Sequence, residues 1–162
     1  MKPVLLVIDV QKAFPPNAPS LQQAIPVINA AIDLFRENKL PIIAIQHINE
    51  RDGLVPGTEG FELAADLHLL SADPRVHKTY GNAFNKTSLG QLVEEYGADT
   101  LILTGYAAEN CVLSTCRAAL DRDLTPVILR GSIGSRNPAN ITFVESINDL
   151  ISFNALKKFL AG

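Results

Sequence analysis

Short apolar runs at residues 4–10, 42–45, 101–103 and 127–129, each closed by turn or polar residues, constrain this chain more than any other feature. Runs of that length and continuity fit strands buried on both faces. Between them the period changes. Leu21, Ile25, Ile28, Ile32 and Phe35 form one stripe of a helix from about Ser20 to Asn38, with Pro26 in its early part as an alternative start. Thr87 or Ser88 caps a helix that runs to Tyr96 and that Gly97 stops. Residues 76–78 make a short edge strand, 130–138 a loop, 141–150 a helix, 151–153 a last strand and 155–160 a terminal helix. Strands alternating with helices predict a three-layer α/β fold around a mostly parallel, doubly wound sheet with helices on both faces.

The stretch from Thr100 to Arg122 condenses this pattern into a strand, a turn at Gly105, and a helix on which Val112, Thr115, Cys116 and Ala119 recur at helical spacing. Cys111 falls at the start of that helix, where unpaired backbone N–H groups and the dipole favour a thiolate. In open parallel sheets, ligands bind beyond the carboxyl ends of the strands. Asp9 ends the first strand, Lys78 the short third one, and Cys111 follows the fourth. Three polar groups far apart in sequence thus converge on one edge. A thiol with an ordinary pKa of about 8.5 needs a base or a neighbouring cation to become a nucleophile. Asp9 can serve as the base, and Lys78 can hold both anions.

Composition narrows the function classes. The chain has 162 residues, enough for one domain over residues 1–162 with a full core. Fourteen basic and 17 acidic residues are interspersed at a net charge of −3, so no patch for nucleic acid or anionic membranes is expected. The early lysine and short apolar start at residues 1–9 do not read as a signal peptide, and no run reaches membrane-spanning length, which predicts a cytoplasmic protein. Cys111 and Cys116 lie about 140° apart on one helix, so they are not a redox pair. Residues 50–74 contain Gly53, Pro56, Gly57 and Gly60, follow no period, and read as a long surface excursion of the lid or binding-loop kind.

Four segments carry a family resemblance: Leu-Leu-Val-Ile-Asp-Val-Gln-Lys-Ala-Phe (residues 5–14), Pro-Gly-Thr-Glu-Gly-Phe-Glu-Leu (56–63), Lys-Thr-Tyr-Gly-Asn-Ala-Phe (78–84) and Gly-Tyr-Ala-Ala-Glu-Asn-Cys-Val-Leu-Ser-Thr (105–115). In that order they resemble the isochorismatase-like cysteine hydrolases, which include N-carbamoylsarcosine amidohydrolase and nicotinamidase. The resemblance implies a six-stranded sheet and a catalytic Cys111–Lys78–Asp9 triad. It also implies an oxyanion hole from the backbone N–H groups of Ala108 and Cys111, and a non-proline cis peptide at Ala107–Ala108. The reaction it implies is hydrolysis of a C–N bond in a small amide, ureide or carbamoyl compound through an acyl-enzyme.

The chain also departs from the family pattern. Ala108 stands where Thr is common, so a substrate hydroxyl contact is missing. Isochorismatases proper lack the cysteine, and Cys111 therefore favours amide chemistry. Nicotinamidases carry an Asp-x-His metal segment, whereas Gln46-His47-Ile48-Asn49 offers one imidazole, and His68 and His77 have no ligand spacing. No metal and no cofactor are expected. Phe14, Tyr80, Phe84 and Tyr106 are candidates to line a substrate pocket, and Arg51, Glu59 and Arg75 to make lid contacts. Cys116 reads as core, and Ser114 and Thr115 as packing within their own helix. The expected partners are a small-molecule substrate and further copies of the chain, as a dimer or larger homo-oligomer. A non-catalytic, metabolite-binding or scaffold member of the same fold is the rival reading. A nucleotide-binding module is a weaker one, since no G-x-G-x-x-G follows the first strand.

Overall fold

The computed structural model describes residues 1–162. Its six strands are β1 (Pro3–Ile8), β2 (Ile42–His47), β3 (Arg75–Lys78), β4 (Thr100–Gly105), β5 (Thr125–Ile133) and β6 (Leu150–Ile151). They lie in the order β3-β2-β1-β4-β5-β6, and every neighbouring pair is parallel. The chain winds outward one way from β1 and the other way from β4. The switch point therefore lies between those two central strands, where a crevice opens at their carboxyl ends.

Alternation along the strands separates the two cores. Val4, Leu6 and Ile8 of β1 join Leu101 and Leu103 of β4 on one face, under helices α2 (Leu89–Glu95), α3 (Leu113–Leu120) and α4 (Pro138–Ser146). Leu5 and Val7 join Ile102 on the other, under α1 (Pro19–Glu37) and α5 (Phe153–Ala161). Both faces of the central strands are dry, which accounts for their near-continuous apolar sequence.

Several boundaries differ from the sequence expectation, each for a local reason. Helix α1 starts at Pro19 and runs unbroken through Pro26, whose ring lies on the exposed side while the stripe from Leu21 to Phe35 stays buried. The stretch read as a loop at 130–138 instead continues β5 as far as Ile133, which pairs with Gly105 across a register shift. Helix α4 begins early because Asn137 caps it, accepting from the Ala139 N–H at 3.1 Å, and it ends at Ser146. Ser152 does the same for α5. Most consequential, α3 does not begin at Cys111. A π-helical turn at Ala108–Val112 precedes it and carries the sulfur.

The excursion at residues 50–74 holds one 3-10 turn, Glu50–Asp52, yet it is pinned to the sheet. Leu54, Phe61 and Ala64 are buried, and the side-chain amides of Gln11 and Gln46 both donate to the Phe61 carbonyl at 3.0 Å. No helix of the chain is long and apolar enough to cross a membrane.

Gly105 closes the central strand where no other residue fits. Its φ is +114°, and a Cβ there would lie 1.9 Å from the Ile8 carbonyl oxygen. Gly105→Ala is expected to cost about 3 kcal/mol or more in a urea titration, because backbone must move. Gly53→Ala, with a φ of +68° and open space around it, should cost only about 1–2 kcal/mol.

Candidate active site

Asp9 follows β1 in a left-handed conformation, φ +52°, with its N–H held by the Ile45 carbonyl at 2.9 Å. This turn sends its carboxylate across the end of β2 toward β3, where register places Lys78 beside His47. Lys78 and Asp9 are each 1% exposed. Lys78 Nζ lies 2.9 Å from Asp9 Oδ2, 3.2 Å from Cys111 Sγ and 3.0 Å from His47 Nδ1. The three donors of one ammonium thus meet three acceptors, which lets a lysine be buried without an unsatisfied proton. Asp9 Oδ1 holds no hydrogen bond.

Burial dominates the electrostatics of the cluster. It raises the Asp9 carboxyl above its ordinary value, although Lys78 and Cys111 pull the other way. Burial, followed by the Asp9 carboxylate, pushes the Cys111 thiol up to about 12, with Lys78 only partly offsetting both. The thiolate favoured by a helix start is therefore not the resting form. The sulfur sits in a π turn rather than at the mouth of α3, and a carboxylate lies beside it. Burial and then Lys78 lower the imidazole of His47.

Beside the sulfur lies a cavity of about 230 Å³, lined by Asp9, His47 and Cys111. Phe14 and Tyr106 form one wall, their ring centroids 4.7 Å apart. The other two aromatic candidates lie elsewhere. Beyond β3 the chain turns away from the crevice, leaving Tyr80 44% exposed next to Lys86, and Phe84 packed in the core under the Arg122 guanidinium. Arg51, Glu59 and Arg75 do not line this cavity either. Glu59 sits instead at a larger depression of about 770 Å³ near Lys12, which contains no cysteine, histidine or buried charge. Thr115 does not bond within its helix. Its Oγ1 accepts from the Ala83 N–H at 3.1 Å. Cys116 is buried, as expected.

Two backbone expectations shift by one residue. The non-proline cis peptide is Tyr106–Ala107, not Ala107–Ala108, because β4's last ladder bond, from Tyr106 N–H to the Ile8 carbonyl, ends the strand directly before it. The Ala108 N–H is not open to a ligand, since it donates to the Gly134 carbonyl at 2.8 Å. The Ala107 N–H makes no hydrogen bond within the protein, and Ala107 lines the cavity.

The cavity also holds residues that the sequence reading passed over: Asn49, Asp52, Leu54, Glu109, Asn110 and Arg136. The rule that found Asp9 and Cys111 applies to Arg136, which follows the carboxyl end of β5. Glu109 precedes Cys111 on the same turn. Its Oε1 accepts from Ser135 Oγ at 3.0 Å, and its Oε2 is buried without a partner. Asp9, His47 and Cys111 bring a carboxylate oxygen, a ring nitrogen and a sulfur within 4.8 Å of one another, the donor set of a metal centre. Lys78 Nζ already lies among them at hydrogen-bonding distance, so a metal ion there would collide with the ammonium. The set fits an ammonium and not a metal.

The family description Isochorismatase domain matches residues 3–148. A streptothricin hydrolase from Streptomyces noursei is 31% identical over 122 residues, which cover 72% of this chain but 44% of that protein, so the chain spans less than half of its length. An N-carbamoylsarcosine amidase from an Arthrobacter species is 24% identical, across 98% of this chain and 74% of the relative. The crystal structure of an isochorismatase family protein superposes with a TM-score of 0.86 at 27% identity, covering 94% of this chain and 98% of the other. With a family match over most of the sequence and the same fold along its length, the chain belongs to the isochorismatase family.

Proposed function

We propose that the whole chain is one hydrolase domain that cleaves a C–N bond of a small amide, ureide or carbamoyl compound, with Cys111 as nucleophile. The carrying observation is the buried ammonium of Lys78, bonded at once to the Asp9 carboxylate and the Cys111 sulfur. The names of the amide-hydrolysing relatives support the reaction class.

Burial and the Asp9 carboxylate push the Cys111 thiol well above its ordinary value, which favours attack from the thiol over attack from a preformed thiolate. The proton must leave as sulfur attacks. Asp9 accepts it on the oxygen without a partner, while Lys78 steadies the negative charge passing between carboxylate and sulfur. Attack on the carbonyl carbon forms the C–S bond and moves the π electrons onto oxygen. The N–H groups of Ala107 and Cys111 are the donors proposed for that oxyanion. One such donor is worth on the order of 3 kcal/mol of barrier. Collapse breaks the C–N bond, and the nitrogen leaves with the proton from Asp9. Water then gives its proton to Asp9 as it attacks the thioester, and the returning proton frees the thiol.

The cavity volume limits the substrate to a small molecule. A cytoplasmic setting agrees with the reading, because reducing conditions keep a free nucleophilic thiol reduced. A homo-oligomer is part of the same proposal.

Ammonia release from a panel of small amides, ureides and carbamoyl compounds tests the proposal. Turnover lost in Cys111→Ala is the expected result, and turnover that survives this substitution overturns it. Asp9→Asn separates the two roles of the carboxylate. Hydrolysis should fall about 100- to 10 000-fold with the base gone, while iodoacetamide alkylation of Cys111 at mildly alkaline pH should hold or quicken, because a charge opposing the thiolate is removed. Lys78→Ala should cost about 3–5 kcal/mol of stability at pH 7, by leaving Asp9 buried and unpaired. That loss should shrink as pH falls, since the folded carboxyl then binds a proton more readily than the unfolded one. Urea titrations at two pH values measure it.

A further inference from the structure

The third proton of the Lys78 ammonium goes to His47. The imidazole stands at the end of β2, between the strands that carry Asp9 and Lys78, and its main chain is clamped on both sides by Gln11. The His47 N–H donates to Gln11 Oε1 at 2.8 Å, and its carbonyl accepts from Gln11 Nε2 at 3.1 Å. Nδ1 then lies 3.0 Å from Lys78 Nζ. Of the three acceptors around that ammonium, Asp9 and Cys111 exchange a proton in the reaction proposed above, and His47 does not. The Lys78 side chain is fully buried while the imidazole is in place, so the ring and not water is its third acceptor. The ring borders the cavity beside Cys111 and also a shallow cleft formed by Asn49, Glu50, Arg51 and Thr79, and so separates the ammonium from the surface.

We propose that His47 is a positioning residue. As the neutral Nε2–H tautomer it accepts one Lys78 proton through Nδ1, fixes the rotation of the ammonium, and so aims the other two N–H bonds at Asp9 Oδ2 and Cys111 Sγ. Its consequence for turnover rests on the hydrolase reading; its geometry does not. A neutral ring is required because an ammonium offers only donors. Protonation of His47 would set N–H against N–H and charge against charge, and would release Lys78 from its fixed orientation. The charged groups that face the ring are Lys78 from β3, Asp9 from the turn after β1 and Asp52 from the 3-10 turn, with the Cys111 thiol from the π turn, and Glu50 and Arg51 at the surface cleft. Burial and Lys78 disfavour the imidazolium more than Asp9 and Asp52 favour it, so the acceptor form holds at neutral pH and is lost in acid.

The test is the rate of Cys111 alkylation by iodoacetamide, read at that residue by peptide mass spectrometry and followed from about pH 5 to pH 9. His47→Asn keeps an acceptor oxygen near the place of Nδ1 and cannot titrate. His47→Leu keeps the bulk and removes the acceptor. Corrected for thiol ionisation, the unmodified protein should lose rate through a further step below the ordinary imidazole range. His47→Asn should lack that step and stay within about threefold of the unmodified rate at the alkaline end, and His47→Leu should be about tenfold slower at every pH. The same acid step in His47→Asn, or an unmodified rate in folded His47→Leu, overturns the assignment. Failure of the hydrolase reading has a different signature, namely no turnover of any amide with this alkylation pattern intact.

Discussion

The contact on which the rest of the site depends is the buried ion pair between Asp9 and Lys78, 2.9 Å apart. Two charges out of water are tolerable only when each is paired and bonded, and a single ammonium with three acceptors meets that condition. Each acceptor comes from a different segment: the turn after β1, the end of β2 and the π turn after β4. The pair thus ties together the carboxyl ends of four neighbouring strands, β3, β2, β1 and β4, at the switch point of the sheet. The left-handed backbone at Asp9 is part of the same arrangement, since it directs the carboxylate sideways along the sheet edge.

The same arrangement pushes the Cys111 thiol above its ordinary value. A carboxylate and a dry surrounding both oppose a thiolate, and one ammonium shared three ways cannot outweigh them.

Much of this was readable from the residues. Dry central strands need apolar side chains on both faces, so the sequences of β1 and β4 declare a covered parallel sheet. Polar groups at strand ends then have one place to meet, and Asp9, Lys78 and Cys111 do come together. The misreadings share a cause. Helical periodicity cannot distinguish a π turn from the first turn of an α-helix, so Cys111 reads as the start of α3 although it lies in the π turn before it. Proximity in sequence to Lys78 made Tyr80 and Phe84 look like pocket residues, but the chain reverses after β3 and gives one to solvent and the other to the core. His47 was undervalued because a lone histidine has no local pattern to mark it. Its partner is a strand away, and only the register of β2 with β3 brings the two together.

The segment at residues 50–74, which brings Asp52 and Leu54 to the cavity, is already fastened. Gln11 and Gln46 share the Phe61 carbonyl, and Leu54, Phe61 and Ala64 are sunk in the protein. The conformational entropy of ordering those residues is thereby spent during folding, not when a guest arrives. What lies at the carboxyl ends of the strands is therefore a recess whose border is set by the folded chain itself. Rigidity of that border comes from buried side chains and two amide hydrogen bonds to one carbonyl, the same forces that hold the sheet.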